Sequence, residues 1–546
     1  MKSYNLYNNS IHFLIIACGF ITLFLIPNII NAVPNPPMDL QGWVLDTLAK
    51  LEVSGITKGF HRHSLPLSRY DIAKIIDQSQ MKINSGEVTL TQIDRKLLEK
   101  LKREFSSELS HINRINKGST TIHKSDLRID GQIRGTDESI APGLQTGFYY
   151  TVGNKNNKLN VYSELEVSNF KQTQDFVDSF FLPKPPPLLK SADQRYERWH
   201  ADYVVDFKRS YIQYIVSAFE KTEFDLLVGR DYIYWGASPF QSVLISDNSP
   251  PFELIRLTGT IPCVIGTLKA TSFTSQLNST WYDDGTNRYL AKRYLSAHRL
   301  DYHFKDWLEL GISESVLYGG DAQTVDWHYL NPIIPYYAVQ YNAVKDDNLM
   351  LGFDGSVKPI VGLRLYAEWL ADDFQYQSDS NDPHAVSWLT GFEWYPRLLK
   401  RQLGINSEYV RVNRWAYTHL IPDNEFTHFG TMIGHPIGTD ADIFTFSISY
   451  DLTSSARLIT RFNHQRNGEA DITDRFFGEE YLNIPFPSGV VEKLSELRIG
   501  WKYRPNSTIY GSIDYSWRNI QNAEHLKNKV KQQHRIVLMI AYVWRN

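Results

Sequence analysis

Cysteine is nearly missing from this chain: among 546 residues there are two, Cys18 and Cys263. Cys18 lies in an N-terminal leader, so Cys263 alone remains, which excludes an internal disulfide and a cysteine-based metal centre. An exported protein without disulfides must bury enough surface to need no staples. An excess of one charge is missing too. Lysine and arginine total 57 against 60 acidic residues, and losing Lys2 with the leader takes the net charge from −3 to −4. That balance carries no footprint for nucleic acid, and no nucleic-acid partner is expected. Beyond residue 32 there is no uninterrupted apolar run of the roughly eighteen residues that a membrane helix needs. The chain also has no HExxH, no GxSxG elbow, no phosphate-cradling glycine loop, no paired-cysteine motif and no internal repeat. No enzyme activity, metal or cofactor is therefore expected, although a Ser–His arrangement spread across strands would escape these motifs. His61-x-His63 offers two metal-ligand side chains, but no third ligand is evident in the sequence, and it reads as a solvated loop.

What is present is aromatic and alternating. Aromatic residues make up 13% of the chain, with 32 Tyr and 13 Trp, which favours strands over helices. Residues 1–32 read as a signal peptide: Lys2, an uncharged apolar stretch from Ile11 to Ile26, and a small-residue end at Ala32. The mature chain is expected to begin at Val33, with a proline-rich tether to Pro37. A helical region follows to about residue 120. Val44, Leu45, Leu48 and Leu51 mark one apolar face, and Ile72, Ile75 and Ile76 a second. Ser68 is a candidate N-cap, and Thr91 with Asp94 resembles a capping box opening a helix from Thr91 to Leu109.

From about Asp126 the period changes from 3.6 to 2 and stays there. Leu497, Ile499, Trp501 and Tyr503 alternate with Glu496, Arg498, Gly500 and Lys502. Phe444, Phe446, Ile448 and Tyr450 alternate with Thr445, Ser447 and Ser449, and Ile509, Gly511, Ile513, Tyr515 and Trp517 repeat the pattern. The last segment places Ile536, Leu538, Ile540, Tyr542 and Trp544 on one face. Apolar residues on one face and polar ones on the other suit a strand between lipid and a wet lumen. The segments are about nine to eleven residues long, the length a tilted strand needs to cross a bilayer. The predicted fold is an all-β transmembrane barrel of about 18 antiparallel strands, preceded by a small α-helical periplasmic region. The expected divisions are 1–32 signal peptide, 33–120 periplasmic helical region and 121–546 outer-membrane barrel.

Long polar joins over Asn413–Ala441 and Arg461–Ser495 are predicted to face outward, as is the proline-rich excursion Lys171–Trp199 unless it folds into the lumen. Tight turns near Asp306, Lys358–Pro359 and Thr453 are assigned to the periplasmic side. On the polar faces, Arg364, Tyr366 and Glu368 share one side of a strand, as do Arg299, Asp301 and His303 on another, with Glu309 on the next. Such charges read as cross-strand ion pairs that stiffen or fill a barrel.

The central stretch Gly229–Leu257 is a long aromatic loop between strands, and loops of that length are usually functional or disordered. Its segment WGASPFQSVLISDNSPPFE resembles the hallmark of the Wzi-type capsule-assembly family of outer-membrane proteins. The segments YLSAHRLDYHF to SESVLYG (Tyr294–Gly319) and HYLNPIIPYYAVQYN with DDNLMLGFD (His328–Asp354) are similar to further blocks of that family. The resemblance implies a lectin-like outer-membrane protein that attaches or assembles capsular or exopolysaccharide at the cell surface. Its other expected partners are outer-membrane lipid and the barrel-assembly machinery. A porin or substrate-specific channel is the alternative, because the same barrel would serve it.

Residue chemistry, rather than the resemblance, selects the candidate sugar contacts: Arg230, Asp231, Tyr234, Trp235, Asp247, Asn248 and Arg256, with Trp327, Tyr329 and Asn331 as a second group. Aromatic faces stack on sugar rings, and Arg, Asp and Asn bond hydroxyls. The competing reading is that these residues knit a long loop to a barrel wall through Asx-turns and an Arg–Asp pair. The Trp327–Tyr341 insert is expected either to join the first group in one surface or to plug the pore.

Overall fold

The computed structural model describes residues 42–57, 59–115, 124–136, 140–153, 159–168, 204–218, 222–283, 288–343, 347–373, 384–397, 400, 402–474 and 484–545. The signal peptide, the proline-rich tether, the boundary near residue 120 and the excursion Lys171–Trp199 lie outside them.

Four helices open the described chain: α1 (Trp43–Val53), α2 (Arg69–Asn84), α3 (Gln92–Glu104) and α4 (Ser106–Ile115). The sequence signals act as expected at two starts. Ser68 with Asp71, and Thr91 with Asp94, each form a reciprocal capping box. Leu48, Leu51, Ile72, Ile76, Leu98 and Leu101 then meet in one apolar core. The single helix expected from Thr91 to Leu109 is instead two, broken at Phe105 (φ −104°, ψ 21°). Arg69 supplies the reason. Its Nη2 donates to the Glu104 carbonyl at 2.8 Å, and its guanidinium also pairs with the Glu104 and Glu108 carboxylates and lies 4.3 Å from the Phe105 ring centre. The Glu104 carbonyl is the acceptor that an unbroken helix would give to residue 108.

Among the described residues, eighteen long strands form one antiparallel sheet, from Lys124–Thr136 to Val530–Arg545. The first and last pair with each other from Asp126↔Arg545 to Thr136↔Arg535, so the ring of eighteen strands closes on itself. Strand lengths run from 10 residues (Leu159–Ser168) to 17 (Arg288–Phe304), enough to cross a bilayer when tilted. Alternation sorts the faces as predicted. Leu497, Ile499, Trp501, Ile513, Ile536 and Tyr542 are exposed on the outside, while Glu496, Ser512 and Ser516 are buried inside. The barrel is therefore inside-out relative to a soluble protein, with its apolar band where lipid lies.

One predicted turn is displaced. The strand Asn348–Ile360 continues through Lys358–Pro359 and turns at 361–362. Its register slips between Val357 and Ile360, which accommodates a proline that cannot donate to the ladder. The long join near 461–495 is shorter than expected, because the strand Ala456–Asn467 carries the alternation to Asn467.

The helices dock at the end of the barrel that carries the short turns. Lys50 meets Asp451 at 2.5 Å, Glu52 meets Lys358 at 2.6 Å, and Gly362 N–H donates to the Val53 carbonyl. Lys100 donates to the Arg504 carbonyl at 2.6 Å. The segment after α1 then rises into the lumen, where Ser64–Leu65 pairs with Tyr234–Trp235 as a two-stranded sheet. The strand directions place the joins 232–251, 321–347 and 413–440 at the opposite, outer end.

Candidate functional site

The lumen is filled from both ends, and the side chains that fill it were on the predicted polar faces. From outside, the 232–251 loop folds inward. Gly236 starts the descent at φ +144°, where a Cβ would run into Ser242 and Glu368. Glu368, on the strand Leu363–Asp373, clamps the loop. Its carboxylate accepts from Ala237 N (2.6 Å), Ser238 N (2.8 Å), Ser242 Oγ (2.7 Å) and Val243 N (2.9 Å). Glu408 takes Ser238 Oγ at 2.6 Å, and Tyr417 Oη donates to the Val243 carbonyl at 2.7 Å.

From the helical side come Arg62 and His63. Arg62 pairs with Glu393, and His63 Nδ1 lies 2.6 Å from Asp354, which Arg299 also holds by two bonds of 2.6 and 3.0 Å. Arg364 joins the two plugs. It bonds Glu393 at 3.0 Å, His63 Nε2 at 3.0 Å and the Ala237 carbonyl at 2.8 Å, with no exposed surface. This is a cross-strand charge network that fills the barrel rather than lining a path.

The candidate residues divide accordingly. Asp231 is buried, with Arg209 at 3.4 Å and Arg256 at 3.5 Å, so the Arg–Asp pair fastens adjacent strands. Tyr234 is buried and donates to the Ser238 carbonyl at 2.7 Å; Trp235 is buried edge-on to Phe273. Asn248 Nδ2 donates to the Met432 carbonyl at 3.0 Å, tying the plug to the outer 413–440 join, and Asp247 beside it is half-buried. Arg230 is half-buried, 3.6 Å from Glu253. In the first group the loop-to-wall role therefore accounts for most of the side chains.

The second group packs elsewhere. A 3-10 turn at Trp327–Leu330 and a helix, α5 (Tyr336–Ala343), rest on Tyr294, Val316 and Tyr318 through Tyr329, Tyr336 and Val339. Tyr329 is buried, with its hydroxyl on Asp347 at 2.7 Å, and Asn331 forms an Asx-turn to Ile333 and Ile334. Trp327, by contrast, is 84% exposed, and Tyr337 and Tyr341 stand out beside it in sequence. Trp281, on a short strand extending the barrel wall, is also exposed, 5.1 Å from the Arg288 guanidinium. Tyr337 and Tyr341 lie in the insert singled out from the sequence but were not among its candidate contacts, and Trp281 was not singled out.

Two buried histidines make the 413–440 join pH-sensitive. Burial pushes His435 down to about 3, and burial, with Arg293 adding to it, pushes His428 down to about 3. Both serve as neutral acceptors, His435 from Ile437 N and His428 from Asn278 N. The unfolded join takes up protons below about pH 6.5 and the folded one does not until near 3. Its stability is therefore full above pH 6.5 and falls as pH drops from there toward 3. Amide exchange across 413–440 should be faster at pH 4.5 than at 7.5 after correction for intrinsic rates, and His435→Gln should remove part of the difference. Equal protection at both pH values would contradict this assignment.

Closed wall, lipid-facing apolar band, inward-folded loop and aromatic outer rim together define an outer-membrane β-barrel whose lumen is occupied by its own side chains. The family model described as capsule assembly protein Wzi matches residues 148–534, well over half the chain, and the chain belongs to that family. No curated protein sequence matches it. Among solved structures it is similar to Wzi of Escherichia coli, described as an outer-membrane protein involved in group 1 capsule assembly and a carbohydrate-binding β-barrel. Identity is 14%, the match covers 94% of this chain and 99% of that one, and the TM-score is 0.57. Pseudomonas aeruginosa OprD matches at 11% identity over 78% of this chain and 95% of that one, with a TM-score of 0.41. Acinetobacter baumannii OccAB4 matches at 9% identity over 78% and 99%, with a TM-score of 0.43.

Proposed function

We propose that this protein holds capsular or other exported polysaccharide at the cell surface through its outer joins, and turns nothing over. The observation that supports this reading most is the double plug. A lumen occupied by Glu368-bound loop and Arg62–His63 leaves little room for a transported solute, so the outer rim is where a long polymer meets the protein. There Trp327, Tyr337, Tyr341 and Trp281 offer faces for sugar rings, with His328 next to Trp327 and Arg288 beside Trp281 as polar neighbours. The E. coli Wzi structure, a carbohydrate-binding β-barrel, points to the same class of ligand. Individually weak contacts suffice when a repetitive polymer engages many copies at once. In this arrangement residues 1–32 direct export, 33–120 stay periplasmic, 121–546 are inserted among outer-membrane lipids by the barrel-assembly machinery, and no cofactor takes part.

The test is the ratio of cell-bound to released polymer in a strain lacking the protein. Total polymer should be unchanged with most of it shed, and complementation with Trp327→Ala should restore retention only in part. The tryptophan's stacking contribution, about 0.5–1.5 kcal/mol, corresponds to a roughly two- to tenfold weaker contact per site. Polymer that stays bound in the deletion strain would sink the reading.

A further inference from the structure

At the periplasmic mouth the fold assembles a third ligand that sequence spacing did not show. We propose that His61, His303 and Glu309 form a divalent metal site, best suited to zinc, that cross-links the rising plug segment to the barrel wall. Their donor atoms lie within 4.8 Å of one another. His303 and Glu309 are register partners across the tight turn at 305–307, and His303 Nδ1 sits 3.3 Å from Glu309 Oε1. His61 reaches them from the plug, its ring stacked on that of His303 with centroids 3.5 Å apart.

The second observation is His303 itself. It is 2% exposed, yet Nε2 has no hydrogen-bond partner and Nδ1 faces only the Glu309 carboxylate, out of hydrogen-bond alignment. A buried polar atom left so costs about 1–3 kcal/mol, a penalty that ligation would relieve. His63, two residues from His61, is not free for this role. Its nitrogens are engaged by Asp354, Ser356 and Arg364. Lys269 on the same wall turns its ammonium to Ser64.

Two imidazoles and a carboxylate are a borderline donor set, which suits zinc better than calcium or magnesium. Bond lengths of about 2.0–2.2 Å require the donors to draw together by roughly an ångström and the His61 ring to turn out of its stack on His303 so that both nitrogens point at one ion, a movement that His61 can make from its loop. An entry path exists. His61 and His303 both line a cavity of about 720 Å³ between α2 and the barrel wall, which leaves a fourth position open to water.

Tag-free, full-length protein in detergent, stripped with chelator, should take up one equivalent of zinc by calorimetry. Cobalt in its place should show the visible absorption of a four-coordinate N/O site. His303→Ala and His61→Ala should each weaken zinc binding at least about tenfold, the loss that even outer-shell changes cost a metal site. His534→Ala, at an exposed histidine on the far side of the sequence, should bind as the parent does. His61 lies in a loop and is half-buried, so its variant keeps the barrel; heat-modifiable gel mobility checks this. No stoichiometric uptake, or uptake unchanged in His61→Ala, overturns the site.

Discussion

In planar lipid bilayers the parent protein should stay closed, and Arg364→Ala should conduct. Arg364 is the charged contact between plugs that arrive from opposite ends of the barrel, beside the Ser64–Leu65 pairing with Tyr234–Trp235 and the Gly236 N–H on the His63 carbonyl. Through one buried guanidinium it holds the Ala237 carbonyl of the outer loop, His63 of the helical region and Glu393 of the wall. Removing it leaves Glu393 with Arg62 and the buried Ala237 carbonyl without that donor, at a cost of about 1–3 kcal/mol. At 1.4 kcal/mol per tenfold, that shifts the closed-to-open balance by roughly one to two orders of magnitude. Glu368→Ala should act on the outer plug only, because its four accepted bonds all come from residues 237–243. Its openings should be shorter than those of Arg364→Ala, since Arg62 and His63 keep the inner plug seated. A double variant that remains silent would show that the plugs are held by packing rather than by these charges. Spontaneous porin-like conductance of the parent would revive the channel reading.

Asp451→Ala should release the helical region from the barrel. Asp451 stands at the periplasmic end of the strand Ala441–Asp451, and its two oxygens meet Lys50 Nζ and Arg457 Nε, each at 2.5 Å. Lys50 has no exposed surface, and burial pushes its ammonium below the usual lysine range despite the nearby carboxylate. Deleting the anion strands that cation, at a cost of about 3–5 kcal/mol. The Glu52–Lys358 pair and the Val53 carbonyl remain, so the helices loosen without the barrel unfolding. Limited trypsin digestion in detergent should then cut within 43–115 some two to three orders of magnitude faster, in step with the population of the open form. Asp451→Glu should fall between. If Asp451→Ala resists trypsin as well as the parent does, docking rests on the apolar contacts instead.

Much of the wall was legible because a barrel strand is a local code. Period-2 alternation, about ten residues long and bounded by turn residues, fixes both strand and facing, and Leu497, Ile499, Trp501 and Tyr503 face lipid as their pattern required. The caps at Ser68 and Thr91 were legible for the same reason: donor and acceptor are three residues apart. The break at Phe105 was not, since its cause, Arg69, sits thirty-five residues earlier and meets Glu104 only after folding.

The candidate site shows the limit most clearly. Stacking on a sugar and packing inside a plug call for the same side chains, so Trp235 and Trp327 look alike in the sequence. One is 1% exposed and the other 84%. His61 likewise showed a single neighbour of ligand type at close spacing, and it was His303 and Glu309, more than two hundred residues on, that completed a cluster. The sequence by itself determined capped helices and lipid-facing strands, because each is set by neighbours within a few residues. Only the tertiary structure decided which long join turned inward to fill the lumen and which stayed at the outer rim. That choice rests on buried partners such as Glu368 and Arg364, brought together by barrel closure rather than by spacing along the chain.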